Sequence, residues 1–161
     1  MLYFSYDSIF NRFKRGERIL KEDSLQAIEY EIALLVRLTI AHSPRLGSLD
    51  RSEYLLLSEL EKSSPLAINE LAENLLLNLS TASRQVATLE TKKYIRRFPD
   101  SQNGRISLVE LTSEGKKILH TVQKARYDAY TEMLHDWSPE ELKHLEANLA
   151  RLNKDFKKWH K

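Results

Sequence analysis

The sequence predicts a mainly α-helical fold with one small β element, and three observations carry that expectation. Apolar residues recur at three-four spacing through most of the 161 residues. Near the middle, two short helical segments follow one another closely, AINELAENL and LSTASRQVATLET, separated by Leu76, Leu77 and Asn78. Directly after them, two strand-like runs flank Asn103-Gly104, a strong short-range hairpin signal.

Taken in order, residues 1 to about 20 form an aromatic and basic arm, with Tyr3, Phe4, Tyr6, Phe10 and Phe13 beside Arg12, Lys14 and Arg15. Phe10 and Phe13 can share a helix face. We expect the arm to pack on a neighbouring helix or a second subunit rather than on nucleic acid, with Gly16 interrupting it. Ser24 to His42 is a strong helix, its stripe built from Leu25, Ile28, Ile32, Leu35 and Thr39 and widened by Ala33, Val36 and Ile40. Ser43-Pro44 and Gly47 end it. Leu49 to Lys62 is a second helix, with Leu56, Leu57 and Leu60 as core candidates and Asp50 or Ser52 as start signal. Leu66-Ala67-Ile68 reads as an extended stub that pairs with the later strands.

Asn69 is placed as the cap of the next helix, which runs through Leu75 with Leu71, Ala72 and Leu75 inward. Asn78 caps the one after it, Leu79 to about Lys93, whose buried face is Ala82, Val86 and Leu89. At 100° per residue, Ser80, Thr81, Arg84, Thr88 and Thr91 fall on the opposite side. Short hydroxyl residues are poorer mid-helix choices for solubility than Lys or Glu. A face of hydroxyls around one guanidinium therefore points to contact with phosphates and base edges. Tyr94 to Phe98 and Arg105 to Leu111 are the two strands. Arg105, just past the turn, suits a narrow minor groove, while Arg96 and Arg97 at the hairpin base suit phosphates. The whole unit, Ala67 to Leu111, reads as a winged helix-turn-helix.

Thr112-Ser113-Glu114-Gly115 opens a long helix to about Asp136, with Ile118, Leu119, Val122, Ala125, Ala129 and Leu134 as its apolar positions. Ser138-Pro139-Glu140-Glu141 is a capping box that opens the last helix, to about Trp159, striped by Leu142, Leu145, Leu149, Leu152 and Phe156. That stripe needs a partner, and the first helix, within or between subunits, is the economical one. The organisation expected is residues 1–48 as arm and dimerisation helix, 49–115 as the DNA-binding lobe, and 116–161 as C-terminal dimerisation helices, all in one compact chain.

Charge supports this division. The net charge is +2, yet Ser80 to Val109 alone carries Arg84, Lys92, Lys93, Arg96, Arg97 and Arg105 against Glu90 and Asp100. That segment is +4, leaving −2 for the remainder, so positive charge gathers on the face expected to meet DNA. No cysteine is present, which excludes disulfides and thiolate metal sites. Ile32 to Ile40, interrupted by Arg37, is too short to span a bilayer, and the N-terminus lacks the pattern of a signal peptide. We expect a soluble cytoplasmic protein. There is no H-E-x-x-H, P-loop or G-x-G-x-x-G, and the five histidines lack ligand spacing. His135 and His144 could converge across Pro139, but surface positions are expected for both. No enzyme, cofactor or metal is expected.

The runs LAINELAENL, LSTASRQVATLETKKYI, RRFPDSQNGRISLVELTSEG and SPEEL, in this order and spacing, resemble the MarR (multiple antibiotic resistance regulator) family of dimeric bacterial regulators. The similarity runs from about Leu49 to Leu152, and more loosely back to Ser24. It implies a winged helix-turn-helix in which Ser80, Thr81, Ser83 and Arg84 match recognition-helix positions, with Gln85 and Thr88 nearby and Arg105 matching the wing-tip arginine. Residues before Thr39 and after Ile118 match dimerisation helices. Three departures stand out: Leu76 and Lys93 occupy positions where glycine is common, and Asn103-Gly104 replaces an acidic-basic pair, so the Asp that often braces the tip arginine is missing. If Leu76 needs a positive φ, it bears roughly 1 kcal/mol of strain.

The function expected is a homodimeric, sequence-specific regulator of transcription, a repressor, on double-stranded DNA with a pseudo-palindromic operator. A small-molecule effector is weighed as its modulator. Arg37, His42 and Tyr54 are pocket candidates, but surface or packing roles fit each as well, and no effector residue is assigned. The competing reading is a winged-helix protein-interaction module without direct DNA binding, which should show apolar or aromatic residues on the face of Ser80 to Thr91.

Overall fold

The computed structural model describes residues 6–159, with side chains from Lys21 to Trp159. The aromatic and basic side chains of the arm lie outside the described residues. The chain forms two compact units, Met1–Ser43 and Pro44–Lys161.

The first unit is a single helix, α1 (Tyr6–Ala41), of 36 residues. It begins well before Ser24 and passes through Gly16 without a break. One glycine costs a helix about 1 kcal/mol against alanine, too little to stop a run this long with Glu, Arg, Leu and Lys on either side. Its stripe is unburied within the unit, with Leu25, Ile28, Leu35, Val36 and Ile40 exposed.

The second unit holds α2 (Arg51–Lys62), β1 (Leu66–Ala67), α3 (Ile68–Asn74), α4 (Leu79–Thr91), β2 (Ile95–Pro99), β3 (Ser107–Leu111), α5 (Ser113–Met133) and α6 (Pro139–Trp159). Asp50, rather than Ser52, caps α2: its side chain accepts the Glu53 N–H at 2.9 Å while Glu53 accepts the Asp50 N–H at 3.3 Å. The three strands form one antiparallel sheet in the order β1-β3-β2. Leu66 pairs with Val109, and β2 pairs with β3 from Ile95↔Leu111 to Pro99↔Ser107. Val109 and Leu111 face the core. Leu56, Leu57, Leu60, Leu71, Val86, Leu89, Ile95, Leu119 and Val122 complete that core. Thus α5 enters the lobe through its first half, while no described residue of α6 is buried.

Asn69 does not cap α3. The helix starts at Ile68 with Ala67 as cap residue, and the Ala67 N–H is taken by the Glu70 carboxylate at 2.7 Å. Strand β1 runs straight into the helix, so an acceptor from inside the first turn replaces the usual side-chain cap. At the other end of α3, Leu77 N–H reaches Ala72 O at 2.8 Å and Leu76 N–H reaches Glu73 O at 3.3 Å. Helix α4 ends the same way, Tyr94 N–H on Leu89 O at 3.0 Å and Lys93 N–H on Glu90 O at 2.9 Å. Both are Schellman endings, which place the residue after the cap in the left-handed region. Leu76 and Lys93 hold φ values of 54° and 61°. The two positions that the family usually gives to glycine are therefore the two left-handed non-glycine residues among those described.

Left-handed backbone costs a side-chain-bearing residue roughly 1–2 kcal/mol, and glycine loses part of that again through its freer unfolded state. Lys93 is exposed and makes no ion pair among the described residues, so replacing it sacrifices little. Lys93→Gly should stabilise the protein by about 0.5–1 kcal/mol, raising the thermal midpoint by ~1–4 °C. A lower midpoint in the melting curve would show that this turn is unstrained.

Polar contacts tie α2 to its neighbours at both ends. Glu61, near its C-terminus, accepts from Gln123 at 2.8 Å and lies 2.6 Å from His120 on α5. The Gln123 hydrogen bond, with His120 adding to it, holds the Glu61 carboxyl below its ordinary range. At the N-terminal end, Glu53 is buried and paired with Lys92, just past the end of α4.

Candidate nucleic-acid interface

Helix α4 is positioned from beneath and from its start. Ala82, Val86 and Leu89 are fully buried, and small Ala72 on α3 lies in the same core. Asn78 caps the helix, its Oδ1 accepting the Thr81 N–H at 2.8 Å and the Ser80 hydroxyl at 2.9 Å. This leaves Ser80, Arg84, Thr88 and Thr91 exposed, as their spacing predicts. Thr81, Ser83 and Gln85 are half-buried at the margins of that face, and the Gln85 Oε1 has no hydrogen-bond partner.

The hydroxyls are already committed as donors. Thr88 donates to Arg84 O at 3.1 Å, Thr91 to Ala87 O at 2.9 Å, and Ser80 to Asn78. What they turn outward in this arrangement is lone pairs, which suit base amino groups; donating to a phosphate requires the hydroxyl to rotate. The donor on the face is Arg84.

The wing departs from its expected form. Arg105 is not the first residue of a strand that follows directly on Asn103-Gly104. Pairing ends at Pro99↔Ser107, and Asp100 N–H closes the loop on Ile106 O at 2.9 Å. Within it, Ile106 N–H reaches Asn103 O at 2.8 Å, which puts Gly104 and Arg105 at the centre of a four-residue turn. Gly104 does not adopt a positive φ, so the primed turn that Asn-Gly favours is not formed. Two side chains explain the difference. Asp100 accepts the Gln102 N–H at 2.7 Å and Asn103 accepts the Arg105 N–H at 3.2 Å, so successive Asx-turns supply the loop's polar contacts. Arg105 ends at the tip, exposed and without a carboxylate partner among the described residues.

The basic cluster divides in two. Arg96 pairs with Glu110 across the strands and lies over the Phe98 ring at 5.9 Å, and Arg97 pairs with Glu90 of α4 at 3.2 Å. Lys92 pairs with Glu53, whose hydrogen bond holds the ammonium above its ordinary value. These three brace the wing and the end of α4. Arg84, Lys93 and Arg105 are left without carboxylate partners among the described residues. Sequence reasoning missed the Lys92–Glu53 tie, although Asp50-x-x-Glu53 was a legible capping box that placed Glu53 at the start of α2.

His135 lies 3.1 Å from Asp136 and His144 is exposed. Among the described residues no group of three or more histidine, aspartate or glutamate side chains is arranged to hold a metal. No described helix is long and apolar enough to cross a membrane.

A helix capped and pinned beneath an exposed polar face, followed by a hairpin with a free arginine at its tip, defines a winged helix-turn-helix protein. Comparison with known proteins agrees. The MarR family pattern matches residues 49–107. YxaD of Bacillus subtilis (strain 168), described as an HTH-type transcriptional regulator, is 40% identical over 138 residues, 84% of this chain and 96% of YxaD. The PcaV transcriptional regulator from Streptomyces coelicolor, solved in complex with its natural ligand, superposes with a TM-score of 0.64 at 23% identity, over 75% of this chain and 89% of that one. A mutant MarR from E. coli complexed with operator DNA gives 0.60 at 22% identity, over 76% and 95%. The chain belongs to the MarR family of DNA-binding transcriptional regulators and is not an enzyme.

Proposed function

We propose that this regulator acts as a cytoplasmic homodimer that represses transcription by binding a pseudo-palindromic operator. The observation that carries the reading is the pair of free arginines, Arg84 on the exposed face of α4 and Arg105 at the wing tip, set in a basic segment whose other arginines are internally paired. In this reading α4 lies in the major groove, where Arg84 takes a base edge and Ser80, Thr81, Ser83, Gln85 and Thr88 make flanking contacts. Arg105 enters the adjacent minor groove. Arg96 and Arg97 stand near phosphates but contribute less, because each is already neutralised by a glutamate.

Dimerisation is supported by apolar surface that the described chain leaves uncovered. On α6, Leu142, Leu149 and Phe156 are exposed, as are Tyr130, Met133 and Trp137 at and after the end of α5. Residues 1–48 and 116–161 are assigned to the dimer interface, apart from the first half of α5, whose Leu119 and Val122 pack into the lobe formed with 49–115. Two-fold symmetry would then set the recognition helices one duplex turn apart, roughly 34 Å. The structure of PcaV with its natural ligand supports a small-molecule effector here too, acting through unequal affinity for two spacings of those helices.

A salt series tests this reading. Binding to duplexes from the gene's own upstream DNA should fall steeply with salt, and Arg105→Ala should reduce the log-log slope by about one unit. Arg96→Ala and Arg97→Ala should change it less. Equal slopes for wild type and Arg105→Ala would remove the wing from the interface.

A further inference from the structure

We propose that Leu79 reads thymine methyl groups in the operator, adding an apolar specificity contact to the arginine and hydroxyl face; this rests on the DNA-binding reading above. Leu79 is the first residue of α4 and is 52% exposed. By angle it lines up with Val86, two turns later, so periodicity alone would put it in the core. Val86 is fully buried and Leu79 is not. Helical side chains lean toward the N-terminus, which carries Leu79 toward the leading end of α4. That is the end a recognition helix presents to base edges.

Its two chain neighbours are polar, although Leu76 three residues earlier is also exposed. Asn78 and Ser80 are exposed on either side, and the Asn78 side chain is occupied by Ser80 and Thr81. A duplex offers one apolar group in the major groove, the thymine 5-methyl. A protein partner fits this site less well, because Arg84 follows on the same helix, on the side turned away from Val86, and the free cations Lys93 and Arg105 lie on the segment that follows. Phosphates neutralise those charges, whereas an apolar protein surface would leave them uncompensated.

Deoxyuridine lacks only that methyl, which makes it the probe. A duplex enriched by the wild-type protein from a random pool is resynthesised with thymine replaced by deoxyuridine, one symmetric pair of positions at a time. Wild type should bind about fourfold more weakly per lost methyl, and about fifteenfold for one symmetric pair. Leu79→Ala should lose a similar factor on the unmodified duplex and be insensitive to deoxyuridine at that pair alone. Leu79→Met, which keeps apolar reach, should retain the sensitivity. A Leu79→Ala protein still sensitive at every pair, or a wild type sensitive at none, overturns the assignment while leaving DNA binding intact. Failure to enrich any duplex would instead overturn the DNA-binding reading on which it stands.

Discussion

Replacing Gly115 with alanine should destabilise the DNA-binding lobe by about 3 kcal/mol or more. An added Cβ would sit 1.9 Å from the carbonyl oxygen of Tyr94, a backbone atom that cannot rotate away. That carbonyl is held in place because it accepts the Thr112 N–H at 3.0 Å. The Thr112 hydroxyl in turn donates to Lys93 O at 2.7 Å and accepts the Gly115 N–H at 3.0 Å. The start of α5 is thus stitched to the residues between α4 and β2, and glycine is what lets the two backbones approach. Alanine's better helix propensity offsets only about 1 kcal/mol. The thermal midpoint should drop by roughly 6–12 °C, read by circular dichroism, and a drop below ~2 °C would mean the junction relaxes freely. Because the same junction sets where the wing leaves α4, operator affinity should fall even at temperatures where the variant stays folded.

Arg84→Ala should weaken operator binding by about 10- to 100-fold and relax base preference at one position per half-site. The guanidinium has no internal partner among the described residues, so its removal leaves no buried carboxylate behind and little stability should be lost. The expected signature is therefore a changed sequence preference with an unchanged melting temperature. Selection from a random pool with both proteins would display it directly. An identical consensus from wild type and variant would place Arg84 outside the base-reading contacts. Truncating Arg97 should behave oppositely, since it unpairs Glu90 and loosens the wing from α4 while leaving base preference alone.

Much of the fold was legible because its signals are local. Asn78 before an Ala82-Val86-Leu89 stripe specifies both the start and the buried side of α4, and Ser138 with Glu141 closes its box at 2.8 and 3.3 Å as the motif requires. Leu76 and Lys93 stood out through the resemblance, as positions where glycine is common, and the Schellman endings supply the reason, since each demands a left-handed residue. The errors occurred where a local signal met a competing contact. Asn69 lost its cap role to Glu70 acting on Ala67, and Gly16 was absorbed by the length of α1. The Asn103-Gly104 turn gave way to two Asx-turns that use Asp100 and Asn103 as acceptors. Each depends on an alternative partner that the propensity of a single residue does not reveal.

By itself, the sequence determined the order of elements, the helix-turn-helix and its buried stripe, the basic character of the segment from Ser80 to Val109, and the family. All but the family follow from periodicity, capping and net charge, which need only neighbours a few residues apart; the family came from the resemblance of whole runs such as LSTASRQVATLETKKYI. The tertiary structure alone decided which cations are free and which are spent. Lys92 meets Glu53 and Arg96 meets Glu110 across 39 and 14 residues of chain, and such pairings are set by packing rather than by spacing. It also decided that Leu79, aligned by angle with buried Val86, stands outside the core. An apolar side chain is buried only if something packs opposite it, and at the leading end of α4 Leu79 stays 52% exposed.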